Sequence, residues 1–127
     1  MEFKDKLDME AVENNWQYKD TEFKKQQVMA TGLYECHDGY FIAYKGIRSD
    51  RYSNFNFQYR YMPGKTYESW CDCSCEENSF GLSVWTKEEA ENYCHQLVVK
   101  VKVKYEDVGR VVHNGGKVRC FKFEVLE

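Results

Sequence analysis

No stretch of the chain spells out a catalytic or nucleotide-binding signature. There is no P-loop and no dinucleotide glycine fingerprint, so neither of the common phosphate cradles is present. Residues 1–30 carry charges throughout and hold no apolar run. Neither a signal peptide nor a membrane-spanning helix is therefore expected, and the cytoplasm of a bacterial or host cell is the expected location. Positive charge is not in excess either. Lys and Arg number 18 against 21 Asp and Glu, giving a formal net charge of −3 and a pI near 5.7. A protein that binds nucleic acid by neutralising phosphates needs clustered positive charge, so nucleic acid is not an expected partner; basic protein surfaces stay open. Proline occurs once, at Pro63, and histidine three times. His37, His95 and His113 fall in loops or at element ends, with no serine or cysteine nucleophile at a matching spacing, and are expected to be surface or turn residues.

What is abundant is aromatic side chain, 17% of 127 residues within a hydrophobic total of 43%. A chain of this length is the size of one domain and buries roughly two-thirds of its unfolded surface. Rings must supply much of that core or of a binding surface. A single domain is expected over 1–127, with a helical accessory segment at 1–32 and an α+β core at 40–127.

Six cysteines in a reducing compartment should be free thiols or metal ligands rather than disulfides. Cys71, Cys73 and Cys75 alternate, which on a strand puts all three on one face, whereas closed zinc sites use pairs spaced by two to four residues. A polar loop with small thiols is the simpler expectation, and structural zinc at Cys71, Cys73 and Cys75 the alternative. Cys36-His37 and Cys94-His95 repeat one dipeptide; if the two met in space they would offer two thiols and two imidazoles.

Along the chain, Phe3, Leu7, Val12 and Trp16 form an imperfect helical stripe, with a short helix expected at Met9 to Asn15. Asp20 or Thr21 can cap a second helix that presents Phe23, Gln27 and Ala30 on one face and ends at Gly32 in the left-handed conformation. Tyr40 to Ile47 reads as a central strand, apolar on both faces, in which Gly46 permits a bulge or a close backbone approach. Phe55, Phe57, Tyr59 and Tyr61 alternate as one face of a strand, a core wall rather than a stacking platform. Pro63-Gly64 turns the chain into a short strand at Lys65 to Glu68. A buried strand is predicted at Phe80 to Trp85. Thr86 and Glu89 then form a capping box for a helix at about 86–95, with Ala90, Tyr93 and Cys94 on its buried face.

Leu97 to Tyr105 alternates Val99, Val101, Val103 and Tyr105 against Lys100, Lys102 and Lys104. One face is buried; the lysines form a solvated face, with edge protection or a phosphate-binding stripe as the alternatives. Gly109 to His113 and Val118 to Leu126 are joined through Asn114-Gly115-Gly116 as a hairpin. In its second strand Phe121, Phe123 and Val125 face the core, and the face carrying Val118, Cys120 and Glu124 is half exposed. The fold class is thus α+β with a mainly antiparallel sheet. The acid pairs Glu76-Glu77 and Glu88-Glu89 read as loop solubility and helix N-terminal charge.

Tyr59 to Glu68 contains Y-x-Y-x-x-G-K, Cys75 follows, and Gly81 to Tyr93 ends in T-x-E-E-A-x-N-Y. In this order, with a VKV strand and a terminal hairpin after them, these elements resemble a group of uncharacterised small domains of phages, prophages and some bacterial pentapeptide-repeat proteins. The likeness covers Ile42 to the end and excludes Met1 to Thr31. Ser83 stands where those domains usually carry histidine. The resemblance implies an accessory protein that binds a host protein, possible anti-defence (anti-CRISPR-like) inhibitors included. Trp16, Tyr18, Tyr34, Tyr52 and Trp70, outside the expected core strands, are the candidate partner anchors.

Tyr44-Lys45-Gly46, Gly81-Leu82-Ser83-Val84 and Glu88 to Tyr93 are also distantly similar, in order, to the elements of ADP-ribosyltransferases. That likeness implies a split antiparallel sheet with a cleft. As the alternative to a binding protein it implies NAD or nucleotide binding, with Lys45, Ser83, Tyr93 and Glu124, or Glu106, at the site.

Overall fold

The computed structural model describes residues 20–53, 59–69, 81–94 and 96–127. The expected helix at Met9 to Asn15, the candidate anchors Trp16, Tyr18 and Trp70, the ring positions Phe55 and Phe57, His95 and the Cys71, Cys73 and Cys75 loop lie outside the described residues. Eight strands and two α-helices are present among them: α1 (Thr21–Ala30), β1 (Glu35–Cys36), β2 (Tyr40–Ile47), β3 (Thr66–Glu68), β4 (Leu82–Trp85), α2 (Lys87–Tyr93), β5 (Leu97–Lys104), β6 (Val108–Val112), β7 (Lys117–Cys120) and β8 (Lys122–Val125). The sheet runs β3-β8-β5-β2-β4-β7-β6, with β1 added to β2, and its paired strands are antiparallel. The α+β, antiparallel expectation holds.

The sheet is split. β2 and β5 share a register of eight residue pairs, from Tyr40 opposite Lys104 to Ile47 opposite Leu97, but β2 meets β4 only at Tyr44 opposite Trp85. One wing is therefore β3-β8-β5-β2 and the other β4-β7-β6. β7 and β8 are separated by the single residue Phe121, so the chain passes from one wing to the other there. Phe121 is tied to the segments that flank both wings. Its N–H donates to the Asp107 carbonyl oxygen (2.7 Å) and its own carbonyl accepts from Ser69 N–H (2.9 Å). The inner faces of both wings, Phe41, Val101 and Phe123 on one side and Val84, Val118 and Cys120 on the other, close into one core.

α2 connects β4 to β5 across the outer face of β2. Thr86 caps it as the sequence indicates, its hydroxyl oxygen accepting from Glu89 N–H at 3.3 Å. The reciprocal half of the box differs: Thr86 N–H donates to the Gly116 carbonyl oxygen (3.0 Å), which ties the helix start to the β6–β7 turn. That turn uses positive φ at Asn114 (53°) and Gly115 (93°), as a hairpin requires. Where the helix crosses β2, a Cβ on Gly46 would lie 2.2 Å from the Ala90 carbonyl oxygen and 2.4 Å from that of Cys94. Only glycine lets two backbones approach so closely.

Four expectations need correction. α1 is part of the core rather than an accessory: Val28 is fully buried in it, and the stripe that packs inward is Lys24 and Val28, with Phe23 and Gln27 only half-buried and Ala30 exposed. The reason is that the buried Lys24 finds an acceptor inside the fold, its Nζ donating to the Glu106 carbonyl oxygen (2.9 Å). Asp20 caps α1 and Gly32 ends it with φ +67°, both as read from the sequence. β5 lies between β8 and β2, so its lysines protect no edge. The last strand is broken at Phe121, and β7 is buried on both faces, since Lys117 lies over the Trp85 ring (4.9 Å) and Arg119 has 0% exposure. Finally, Tyr59 to Tyr61 makes one bridge, Arg60 with Tyr52, rather than a strand. Tyr61 is still core wall, packed on Tyr67 (4.9 Å) and Phe123 (5.5 Å).

Two substitutions test this account. Thr86→Ala should cost about 1 kcal/mol by removing the cap. Gly46→Ala should cost more, about 3 kcal/mol, because the atoms it meets are main chain and cannot swing aside. Urea midpoints of the two variants against wild type check the order.

Candidate functional site: a lysine groove and a buried lysine

Alternation along β5 puts Lys100, Lys102 and Lys104 on the outer face, opposite the core-facing Val99, Val101 and Val103. β8 contributes Lys122 and Glu124 by the same alternation, with Phe123 and Val125 inward. The register sets Glu124 beside both Lys102 and Thr66 of β3. Beyond Lys104 the chain makes one 3-10 turn, Tyr105–Asp107. Together Thr66, Lys102, Lys104, Asp107, Lys122, Phe123 and Glu124 line an open groove of about 150 Å³.

The turn carrying Asp107 is fixed from several directions. Tyr105 is buried, stacks on Phe41 at 5.8 Å and donates its hydroxyl proton to the His37 carbonyl oxygen (2.8 Å). Lys24 holds the Glu106 carbonyl and Phe121 N–H holds that of Asp107. Burial, and then the charge of Glu106, push the Asp107 carboxyl up to about 6, against the opposing pull of Lys122, Lys104 and Lys24. Lys102 Nζ rests 4.4 Å from the centre of the Tyr40 ring. The ion pairs among the described residues are Lys25 with Asp38, His37 with Glu35 and Arg48 with Asp50; none engages a groove lysine.

A second unusual cation lies inside. Lys45 occupies the inner row of β2 with Phe41, Ala43 and Ile47 and is 5% exposed. Its Nζ donates to the Ser83 carbonyl oxygen (2.7 Å) and sits 5.4 and 5.9 Å from the Tyr61 and Phe123 ring centres, in the angle between the wings. Burial depresses its pKa to about 8, with the charge of Lys117 acting in the same direction and Cys120 opposing. Burial likewise pushes the Cys120 thiol up to about 12, against the pull of Lys45. Such a thiol stays protonated and poorly nucleophilic.

Of the residues implied by the transferase likeness, Lys45 and Ser83 meet through the Ser83 backbone. Tyr93 stacks on Trp85 (5.2 Å) and bonds to the Ser53 side chain. Glu124 belongs to the groove, on the opposite face of the sheet from the Lys45 ammonium, and Glu106 is exposed with its carbonyl held by Lys24. The four alternative site residues are not gathered at one point. Among the candidate anchors, Tyr34 packs edge-on against Phe41 (5.3 Å) and donates its hydroxyl proton to the Gly115 carbonyl oxygen (2.6 Å), so it belongs to the core margin. Tyr52 is half-buried and bridged to Arg60.

No group of three or more His, Cys, Asp or Glu side chains among the described residues is placed to hold a metal. The cysteines of the paired dipeptides do not meet: Cys36 lies opposite Phe41, whereas Cys94 donates its thiol proton to the Ile47 carbonyl oxygen at the other end of β2. Six residues of strand separate those ends, about 20 Å. No described helix is long and apolar enough to cross a membrane. Compared with models of protein families, with curated proteins and with solved structures, the chain matches none.

The groove's lysine row was readable from its alternation; the contribution of Asp107 was not. Its approach to Lys122 depends on the turn after β5 and on the broken last strand, and neither carries a local signal beyond the acid pair Glu106-Asp107.

Lys45 generates a pH test. Its folded pKa lies below the ordinary 10.5, so between about pH 8 and 10.5 the unfolded chain binds a proton the native chain has released, and stability rises with pH. The gain is complete above 10.5 and is lost as pH falls through 8. Cys120, shifted up from 9.0, works in reverse: its contribution is present below pH 9 and lost as pH climbs toward 12. The interval from pH 8 to 9 therefore belongs to the lysine. Lys45→Met should stabilise the protein at pH 7 by about 2 kcal/mol, somewhat under the 1.36 kcal/mol per pKa unit that the depression implies, because the Ser83 carbonyl loses its donor. Chemical denaturation at pH 7, 8 and 9 should show a rise in wild type and a flat line in the variant.

Proposed function

We propose that the chain is a non-enzymatic accessory protein, of the phage or prophage kind its motifs resemble, that acts in the cytoplasm by binding a host protein, as an anti-defence inhibitor does. The observation that supports this reading is the groove. A chain with net charge −3 gathers Lys102, Lys104 and Lys122 in one concave strip on the sheet and, among the described residues, commits none of them to an ion pair. Charges placed this way steer encounter and select partners of opposite sign. The partner surface that fits is acidic.

Wild type and a Lys102→Glu, Lys122→Glu double variant, immobilised and exposed to bacterial lysate at low and high salt, test the proposal. A partner held by wild type should be released by salt and should bind the double variant roughly tenfold more weakly, about 1.4 kcal/mol. Retention of the same proteins by both would overturn it.

The ADP-ribosyltransferase-like reading has two observations in its favour, the split sheet and the meeting of Lys45 with Ser83. Glycosidic cleavage of NAD needs a carboxylate near the developing ribose charge, and Glu124 lies on the other face. Nicotinamide release that disappears in Glu124→Ala would place this reading first.

A further inference from the structure

We infer that the groove binds an extended acidic segment of its partner, with acids at alternate positions, and that Asp107 is the groove's built-in competitor, occupying the field of the lysines until it is protonated. The inference rests on the groove being the binding surface. Its first part follows from strand geometry. Lys102 and Lys104 are two residues apart on one face of β5, a spacing of about 6.8 Å, and the alternate side chains of an extended peptide repeat at the same distance. Lys122 of the neighbouring strand flanks the row from the side of Glu68, its cross-strand partner. Lysines in a line are separate point charges that suit a row of carboxylates. A phosphate dianion is better served by arginine forks or converging backbone N–H groups.

The second part follows from what faces Asp107. Glu106 stands beside it on the same turn, Lys104 and Lys102 come from β5, Lys122 and Glu124 from β8, the Cys120 thiol from β7, Lys24 from α1, and Thr66 of β3 adds to the lining. None is a histidine. With Asp107 and Glu124 both ionised, the lining carries three positive and two negative charges; with Asp107 neutral, only Glu124 offsets the lysines. The Asp107 carboxyl, pushed up to about 6, makes that change between neutral and mildly acid pH, where aspartates of an exposed peptide remain ionised. Its backbone carbonyl keeps the bond from Phe121 N–H in either state, so an isosteric change at the side chain leaves the turn in place.

The test uses a fluorescent peptide alternating aspartate and serine, titrated by polarisation into the full chain at pH 7.5 and 5.2. Wild type should bind about fivefold more tightly at pH 5.2. Asp107→Asn should bind at pH 7.5 as wild type does at pH 5.2, with little change between the two. If the peptide binds wild type and Asp107→Asn leaves both affinity and pH dependence unaltered, the competitor role is overturned while the groove stands. If the peptide binds neither protein, or binds the Lys102→Glu, Lys122→Glu variant equally well, the groove reading fails and the inference with it. Displacement of the peptide by inorganic phosphate at matched charge and ionic strength would reassign the groove to a phosphate ligand and overturn the acidic segment.

Discussion

The contact on which the architecture depends is between two main chains: Gly46 in β2 and the carbonyls of Ala90 and Cys94 at the end of α2. α2 joins β4 to β5, and these strands flank β2 on either side. The connection must therefore cross β2, and it crosses where β2 has no side chain to hold it off. The Cys94 thiol proton donates to the Ile47 carbonyl and the Thr86 N–H to that of Gly116, so both ends of the short helix are tied to the wings it links. β2 can then serve both wings while touching β4 at one register pair. The opening between the wings admits the Lys45 ammonium.

Much of this was legible in the chain, and where it was not the cause is physical. β2, β5, α2 and the β6–β7 turn follow from alternation, a cap and left-handed turn residues, all local. Gly46 could be recognised as a site of close approach because a glycine inside an apolar strand has few other uses. What could not be read was where neighbours lie. The lysine row on β5 could guard an edge until β8 is seen beside it, and the face carrying Val118 and Cys120 looks half exposed until the break at Phe121 is seen to leave both in the core. Lys24 gave no sign of burial, because its charge finds its acceptor in a backbone carbonyl 82 residues away rather than in a nearby acid. The candidate site suffered most, since Asp107 and Lys122 are brought together by the long-range pairing of β5 with β8 and by the bond from Phe121 N–H to the Asp107 carbonyl.

The two lysine environments show how one side chain takes opposite roles. On the outer face, Lys102 rests against a tyrosine ring at the side of an open groove. On the inner face, Lys45 has one carbonyl and two ring faces for company, and its charge is costly. A buried polar group of this kind stabilises little and restricts the packings a core can adopt. The Ser83 carbonyl and the rings of Tyr61 and Phe123 must be in place together for the ammonium to be tolerated, which couples β4, the segment before β3, and β8.

Phe121 gives this coupling an outward end. Its amide lies between β7 of one wing and β8 of the other, and the proton on it is held by the carbonyl of the residue whose carboxyl stands in the groove. Cys120, one bond earlier, lies against the Lys45 chamber. The amide of Phe121 is thus a natural spectroscopic gauge: its hydrogen-exchange rate and its chemical shift register, at a single atom, both the occupancy of the outer surface and the tightness of the interior.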